Sequence, residues 1–356
     1  MHLLDILALR PVPASAVFLS LTRRCPLSCR HCSTNSAIGS EEHSPDLFTR
    51  LVESFTPDAH PRLVLMSGGE ALLRPSLVER IATRARESGT ASYVLSGMFF
   101  ARDGRIPGPI KKAIDAVDHF AASVDAFHEE EVPRRAVLEV LGALRAEGKD
   151  VSVQLTGLGD DDPYLAEAVG DIRETLGDRV PVLVGLVGPV GRAAGWLGDW
   201  PEERRRVLTH RPIALPPAPC TMAAWPVVTF DGTVVACCNQ DVADRGEAVP
   251  HLTLGHAARD GWPEIRERCL SRPLLRAIRA VGPQYVASMG GVPEGGGYCE
   301  TCRLLSDDPR AEAVATRPVF SLLDADATRR QVAEGAAGFA RRYGSARYGE
   351  LVGLGR

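Results

Sequence analysis

Arg23-Arg24-Cys25-Pro26-Leu27-Ser28-Cys29-Arg30-His31-Cys32 sets three cysteines in a C-x3-C-x2-C spacing directly after a short apolar run, Ala16 to Thr22. Three thiolates on one short loop can ligate three irons of a [4Fe-4S] cube and leave the fourth iron open to an external ligand. A zinc site normally closes with four protein ligands, and nothing nearby in sequence supplies the fourth unless His31 or a distant residue does. The run before the loop is the first of six. Arg62 to Ser67, Ala91 to Ser96, Phe120 to Asp125, Asp150 to Thr156 and Val180 to Val187 follow, separated by amphipathic stretches. That is the pattern of repeated βα units around a parallel sheet. In the stretch after the fourth run, Val137, Leu138, Leu141 and Leu144 share one helical face between Pro133 and Gly148, and Pro75 and Gly89 bracket another helix. Periodicity leaves an open doubly wound sheet and a barrel equally available.

The wider composition excludes several classes. With 356 residues, 45% hydrophobic and 24% charged, the chain has the make-up of a globular protein rather than a disordered or fibrous one. A net charge of -4 removes the electrostatic footprint of a dedicated nucleic-acid binder. No window approaches the ~20 apolar residues that cross a bilayer. The start, MHLLDILALRP, carries Asp5 inside its apolar stretch and lacks the features of a secretion signal, so a cytoplasmic location is expected. In a reducing compartment nine cysteines point to metal rather than disulfides.

After about residue 195 the βα alternation stops. The segments PEERRR (201–206) and PIALPPAPC (212–220) lead to Val227 to Val235, in which Phe230-Asp231-Gly232 reads as a hairpin turn. Cys220, Gly232 and Cys237 stand in C-x11-G-x4-C spacing, and Cys299 and Cys302 form a C-x2-C after the Gly-rich stretch 290–297. The hairpin brings Cys220 and Cys237 near one another, and four thiolates hold either zinc or an iron-sulfur cluster. Cys238 adjoins a ligand and either replaces Cys237, presents a thiol to the active site, or is simply a small packed residue. Cys269 lies in a helix-like stretch, Glu264 to Arg272, and Ala325 to Tyr343 reads as a helix docking back on the body.

Together these motifs resemble the radical S-adenosylmethionine (radical SAM) superfamily with a C-terminal SPASM/twitch extension. The resemblance implies an α/β fold, a partial (β/α)6 TIM-type barrel with a small iron-sulfur twitch domain. The implied divisions are an N-terminal segment 1–15, a core 16–195, an auxiliary-cluster domain 196–310 and a helical tail 311–356. Cys25, Cys29 and Cys32 then ligate the radical SAM [4Fe-4S] cluster. Gly68, Gly69 and Glu70 after the second strand resemble the site for the SAM methionine amino group. Ser123 and Asp125 resemble the ribose-binding pair, though Asp125 alone reads as a helix cap. Arg192, in Pro189 to Ala193, resembles the segment near the SAM carboxylate, with a surface ion pair as its plain alternative. His31 takes the place of the ring that lies against the adenine. Cys220, Cys237, Cys299 and Cys302 resemble the ligands of one auxiliary [4Fe-4S] cluster.

The chemistry implied by the resemblance is one-electron cleavage of SAM to methionine and a 5'-deoxyadenosyl radical that takes hydrogen from carbon. An electron donor such as flavodoxin or ferredoxin is implied, with no nucleic-acid or membrane partner. Only 24 residues precede Cys25, which favours a small-molecule substrate, such as an amino sugar, over a leader-guided peptide; leader-independent peptide modification stays open. The carboxylates of Ser123 to Arg134 and Gly159 to Tyr164 suit a polyamine sugar or are solvated acidic loops. His128 is an acid or base beside the substrate, or a packed histidine. Epimerisation, with Cys238 returning hydrogen, is expected ahead of dehydrogenation with electron transfer to the auxiliary cluster. A non-catalytic iron or zinc protein that senses redox state is the third reading.

Overall fold

The computed structural model describes residues 1–199, 218–245, 248–306 and 308–356, so PEERRR and positions 212–217 of the following segment lie outside the described residues. Six strands, β1 (Ala16–Ser20), β2 (Leu63–Ser67), β3 (Ala91–Ser96), β4 (His119–Val124), β5 (Val151–Gly157) and β6 (Val182–Leu186), pair in parallel in their order along the chain. This order decides between the two architectures the periodicity allowed. A doubly wound sheet reverses direction at a switch point, which throws its helices onto both faces. Here the order never reverses, so right-handed crossovers put every connecting helix on one side and leave the other as the inside of a partial barrel.

Burial follows the same division. Val17, Leu19, Val64, Met66, Val94, Phe120, Ala122 and Val153 point outward and are sealed by the helices. These include α1 (Leu3–Ala8), α2 (Asp46–Glu53), α3 (Pro75–Glu87), α4 (Gly108–Ala116), the short α5 (Ala126–Glu129), α6 (Arg134–Ala146), α7 (Pro163–Leu176) and α8 (Arg192–Leu197), of which α2, α3, α4, α6 and α7 pack on the outer face. The alternate positions Phe18, Leu65, Ser67, Leu95, Ser123, Gln154, Thr156 and Gly185 are half-buried, because they line a lumen open at the C-terminal ends of the strands. At the other end Ile6, Leu9, Ala16, Leu63, Tyr93, Ala121 and Trp225 close the floor. Trp225 Nε1 is satisfied there by Leu9 O at 3.0 Å and Ser15 Oγ at 3.1 Å.

The expected hairpin forms. β7 (Val227–Val228) and β8 (Thr233–Val235) are antiparallel, Gly232 turns the chain at φ 93, and Asp231 Oδ1 accepts from Thr233 N at 2.9 Å. The sheet, however, does not stop at the expected domain boundary. β7 pairs in parallel with β1, Phe18 opposite Val227, and β9 (Thr253–His256) follows β8, so nine strands make one continuous sheet.

The tail helix starts earlier than its composition suggests. It runs over Val319–Tyr343 with a break at Gly335 (φ 70), and its second half packs Ala336 and Ala340 on Leu3 and Leu7 of α1. Just beyond it, Ser345 N donates to Val184 O at 2.9 Å and covers the free edge of β6. The first half is pinned by a buried pair: Arg279 Nη2 and Nε meet the two oxygens of Asp324 at 2.8 Å and 3.1 Å. No helix among the described residues is long and apolar enough to cross a membrane. Removing one partner of a buried pair strands the other charge, so Asp324→Ala is expected to lower the unfolding free energy by about 3–5 kcal/mol. A chemical denaturation midpoint unchanged from wild type would contradict this.

Candidate active site

The cysteine loop crosses the open end of the lumen. Cys25 and Cys29 are buried and Cys32 half-buried, and the charges of Cys29 and Cys32 both act on Cys25. Two of the sulfurs face donors. Leu27 N points at Cys25 Sγ at 3.4 Å, and Ser36 N and Thr34 Oγ1 lie 3.4 Å and 3.3 Å from Cys32 Sγ. Burial pushes the Cys25 thiol up to about 12. At Cys32 burial acts the same way, but the Thr34 and Ser36 hydrogen bonds outweigh it and hold the thiol below its ordinary value.

Two neighbouring loops clamp this one. Gly69 N donates to Thr22 O at 2.6 Å and Glu70 N to Arg24 O at 3.0 Å. A Cβ on Gly68 would meet Thr22 O at 2.4 Å, and one on Gly69 would meet Arg24 O at 2.5 Å. The close approach that the Gly pair permits is therefore to the cysteine loop's own backbone. From the β6 side Arg192 N donates to Cys32 O at 3.0 Å, and Gly191, at φ +56, leaves no room for a Cβ, which would lie 2.3 Å from the carbonyls of Cys32 and Ser33. Arg192 Nη2 reaches Ser36 O at 2.7 Å, while its Nε is buried without a partner. Among the described residues it makes no ion pair, so the plain alternative for Arg192 is not realised.

Several side chains expected to face SAM are already engaged within the protein. The Glu70 carboxylate, 1% exposed, accepts from Leu72 N, Ser96 Oγ and Gly97 N at 2.9, 3.0 and 2.9 Å, so it ties the β2 loop to the end of β3. Asp125 caps α5, its Oδ1 accepting from Phe127 N and His128 N at 3.0 Å and 2.9 Å. Its Oδ2 lies 2.6 Å from His128 Nδ1 and 3.4 Å from His31 Nε2. The helix-cap alternative for Asp125 thus holds, and His128 is a packed, bonded histidine. The charge of His128 holds the Asp125 carboxyl below its usual range against the opposing effect of burial. His31 stacks on Phe127 with ring centroids 4.7 Å apart, and its Nδ1 is buried without a partner. Ser123 is half-buried on the lumen face opposite Gln154.

The second cysteine set also converges. Cys220 N is fixed on Ile278 O at 3.1 Å, Cys237 follows β8, and Cys299 and Cys302 stand one turn apart on the helix Tyr298–Leu304. Burial pushes Cys220 up to about 11 and Cys237 and Cys302 well above their ordinary values, with the charges of the neighbouring cysteines adding to it. Four such thiols suit either zinc or an iron-sulfur cluster. The unpartnered Arg192 Nε and His31 Nδ1 fit a polar ligand at the cysteine loop.

Cys238 lies far from that loop. Val235 opposes Val227, which opposes Phe18, and Ala14 N bonds Ala224 O, so the chain beyond Val235 continues toward the level where β1 begins. The Cys238 sulfur is 3.8 Å from Met222 Sδ and 3.9 Å from Arg10 Nη2, at the floor end. The Cys25 loop follows the other end of β1, and five strand residues at about 3.3 Å each put on the order of 15 Å between the two levels. Cys269 is fully buried and directed at Ala224 O.

The acidic runs are likewise spoken for. Glu129 pairs with Arg134, Glu130 with Arg30, Glu131 with Arg102, and Asp160 accepts from Ser345 Oγ. Asp162 caps α7, and Asp161 stands 3.7 Å from Arg347. The inward-facing polar groups Ser67, Ser123, Gln154 and Thr156 are instead neutral. Sequence reasoning also missed the helix Gln240–Arg245, whose Asp244 pairs with Arg23 and whose Asp241 lies 3.5 Å from Arg303, joining the two cysteine sets. No spacing rule marks such a pair of contacts.

Residues 19–171 match the family model described as Radical SAM superfamily. SAM and a [4Fe-4S] cluster are that family's cofactors, and Cys25, Cys29 and Cys32 fall inside the match. The PqqA peptide cyclase of Gluconobacter oxydans (strain 621H) is 30% identical over 118 residues, which are 32% of this chain and 31% of that protein, so the match spans less than a third of the curated relative. Among solved structures, Streptococcus suis SuiB bound to precursor peptide SuiA has a TM-score of 0.51 at 12% identity, covering 76% of this chain and 68% of SuiB. BtrN in complex with AdoMet and 2-DOIA has a TM-score of 0.44 at 14% identity, covering 73% of this chain and 86% of BtrN.

Because the Gly69 backbone carries the clamp, Gly69→Ala is expected to reduce the iron held by the Cys25 loop to well under half of wild type. Far-UV circular dichroism should stay near wild type, and full iron uptake by the variant would refute the clamp.

Proposed function

We propose that this radical SAM enzyme removes a hydrogen atom from a hydroxyl-bearing carbon of a small substrate in the barrel lumen, and that the net reaction is an oxidation. The observation that carries the first part is the clamped Cys25 loop at the lumen mouth, beside the unpartnered Arg192 Nε and His31 Nδ1. When bound, SAM and a reduced [4Fe-4S] cluster supply the hydrogen-abstracting radical. Cys25, Cys29 and Cys32 would hold the cluster, and Arg192 and His31 would orient the SAM. Ser67, Ser123, Gln154 and Thr156 offer the substrate neutral hydrogen bonds.

Oxidation is favoured over epimerisation by the position of Cys238, since the thiol that was to return hydrogen lies at the floor end of the sheet. A hydroxyl-bearing carbon that has lost a hydrogen atom reaches the carbonyl level by giving up a proton and one electron. Cys220, Cys237, Cys299 and Cys302 are the place in this chain for an auxiliary cluster to receive that electron. The half-buried neutral lumen favours an uncharged or hydroxyl-rich substrate face, and the engaged carboxylates remove the argument for a polyamine.

The test is anaerobic reconstitution, with iron and sulfide counted per chain and SAM cleavage followed after reduction. About eight irons falling to about four in the Cys25/Cys29/Cys32 triple Ala variant, with loss of SAM cleavage, is the expected result. Cleavage that persists in that variant would overturn the radical SAM reading. With cyclitols and hydroxyl-bearing peptides offered, a product two hydrogens lighter, still formed by Cys238→Ala, supports oxidation. Solvent deuterium at one carbon of an isomeric product, abolished in Cys238→Ala, restores epimerisation.

A further inference from the structure

At the floor end of the sheet, away from the Cys25 loop, a cavity of about 210 Å³ opens between the last turn of α6 and the starts of β5 and β6. Arg145, Lys149 and Arg179 line it together with Met1, His119 and Asp150. Its charges do not cancel. Asp150 is the one carboxylate among the described lining residues, and it is taken by the Met1 ammonium. His119 adds no charge: its Nδ1 lies 2.7 Å from Met1 O, its Nε2 lies 2.8 Å from Ser152 Oγ, and burial pushes the imidazole down to about 4. The carboxylates close in sequence to the two arginines are engaged elsewhere. Glu147 meets Lys111 at 2.8 Å, and both oxygens of Asp178 go to Arg173, at 2.6 Å and 3.0 Å. Among the described residues the half-buried Arg145 and the exposed Arg179 make no ion pair. Lys149 Nζ is held at the cavity by carbonyls, Val117 O at 2.6 Å and Asp115 O at 3.1 Å, and burial pulls its ammonium below its ordinary value.

We propose that this cavity is a binding site for a phosphate group, free or carried on a small metabolite, held by Arg145, Lys149 and Arg179. Three cations gathered around one cavity repel each other, and a doubly charged oxoanion among them turns that repulsion into attraction. A guanidinium presents its N–H groups in a fork that matches two phosphate oxygens, and an ammonium adds a point charge. The size sets the class of ligand. Pockets for drug-sized molecules begin at about 300 Å³, so this one takes a phosphate group rather than a whole nucleotide. The ligand would join three parts of the chain that meet here, the start at Met1, the end of α6 at Arg145 and the turn before β6 at Arg179. A molecule bound to the folded chain alone adds its binding free energy to stability. The site stands at the opposite end of the strands from the Cys25 loop, so the inference is independent of the radical SAM reading.

The experiment is equilibrium dialysis of the reconstituted full-length protein against radiolabelled orthophosphate, with ionic strength held constant by sodium chloride so that screening does not change. Saturable binding of about one phosphate per chain is expected, with affinity falling about tenfold in Arg145→Gln and in Arg179→Gln. Arg135→Gln removes an exposed guanidinium that pairs with Glu139 outside the cavity, and it should bind as wild type does. An equal loss in Arg135→Gln would make the effect one of net charge and overturn the proposal. Wild-type affinity in both cavity variants would do the same. Should one cavity variant lose its wild-type circular dichroism, the other carries the test. Displacement by glycerol phosphate identifies the source: stronger than by unlabelled orthophosphate, it marks a phosphorylated metabolite, and weaker, it marks the free ion. No saturable binding of either up to about 10 mM overturns the site. The Cys25/Cys29/Cys32 triple Ala variant should keep its phosphate, and loss of binding there would place the anion at the cysteine loop and refute this cavity.

Discussion

The architecture of the site depends on backbone meeting backbone. The cysteine loop is held between the carbonyl-to-amide contacts of Gly68 to Glu70 on one side and of Gly191 and Arg192 on the other. Neither contact survives a Cβ at the crossing point, because the spacing is that of main-chain hydrogen bonds with no side chain between. The consequence is positional. Three sulfurs sit over the lumen mouth because the loops after β2 and β6 reach across to hold the loop after β1 from both sides. Those loops stand where they do because the strand order is monotonic and the sheet curls.

Inside that frame, charge has been spent locally. Glu70 and Asp125 are both almost fully enclosed and both saturated with short hydrogen bonds, so each fastens one loop to another. The acidic residues beyond α5 and around Asp160 are matched by arginines, a serine hydroxyl or a helix terminus. Among the described residues the half-buried inward-facing positions carry hydroxyl, amide and apolar groups.

The parts of this arrangement that are local in sequence were legible in advance. The C-x3-C-x2-C loop, the six strand runs and the hairpin at Gly232 are each set by neighbours within about ten residues, and composition and spacing reveal them. Periodicity did not say whether the strands curl into a barrel, since one-sided helices follow from strand order; the resemblance carried by the motifs did, and the strand order agrees with it. The capping role of Asp125 was legible too, because α5 starts immediately after it. The height of Cys238 in the sheet was not legible, because it is fixed by register, through Val235, Val227 and Phe18, and register is a long-range property. The helical tail was visible in its Ala- and Arg-rich composition, but not its earlier start at Val319 or the Arg279–Asp324 pair that pins it.

The helix Gln240–Arg245 has a mechanical bearing on the two cysteine sets. It is six residues long, tied by Asp244 to Arg23 beside one set and by Asp241 to Arg303 beside the other. A helix advances about 1.5 Å per residue, so the segment between these ties is short and stiff. A displacement of either cysteine segment is thereby passed to the other through a single turn of helix rather than through loop.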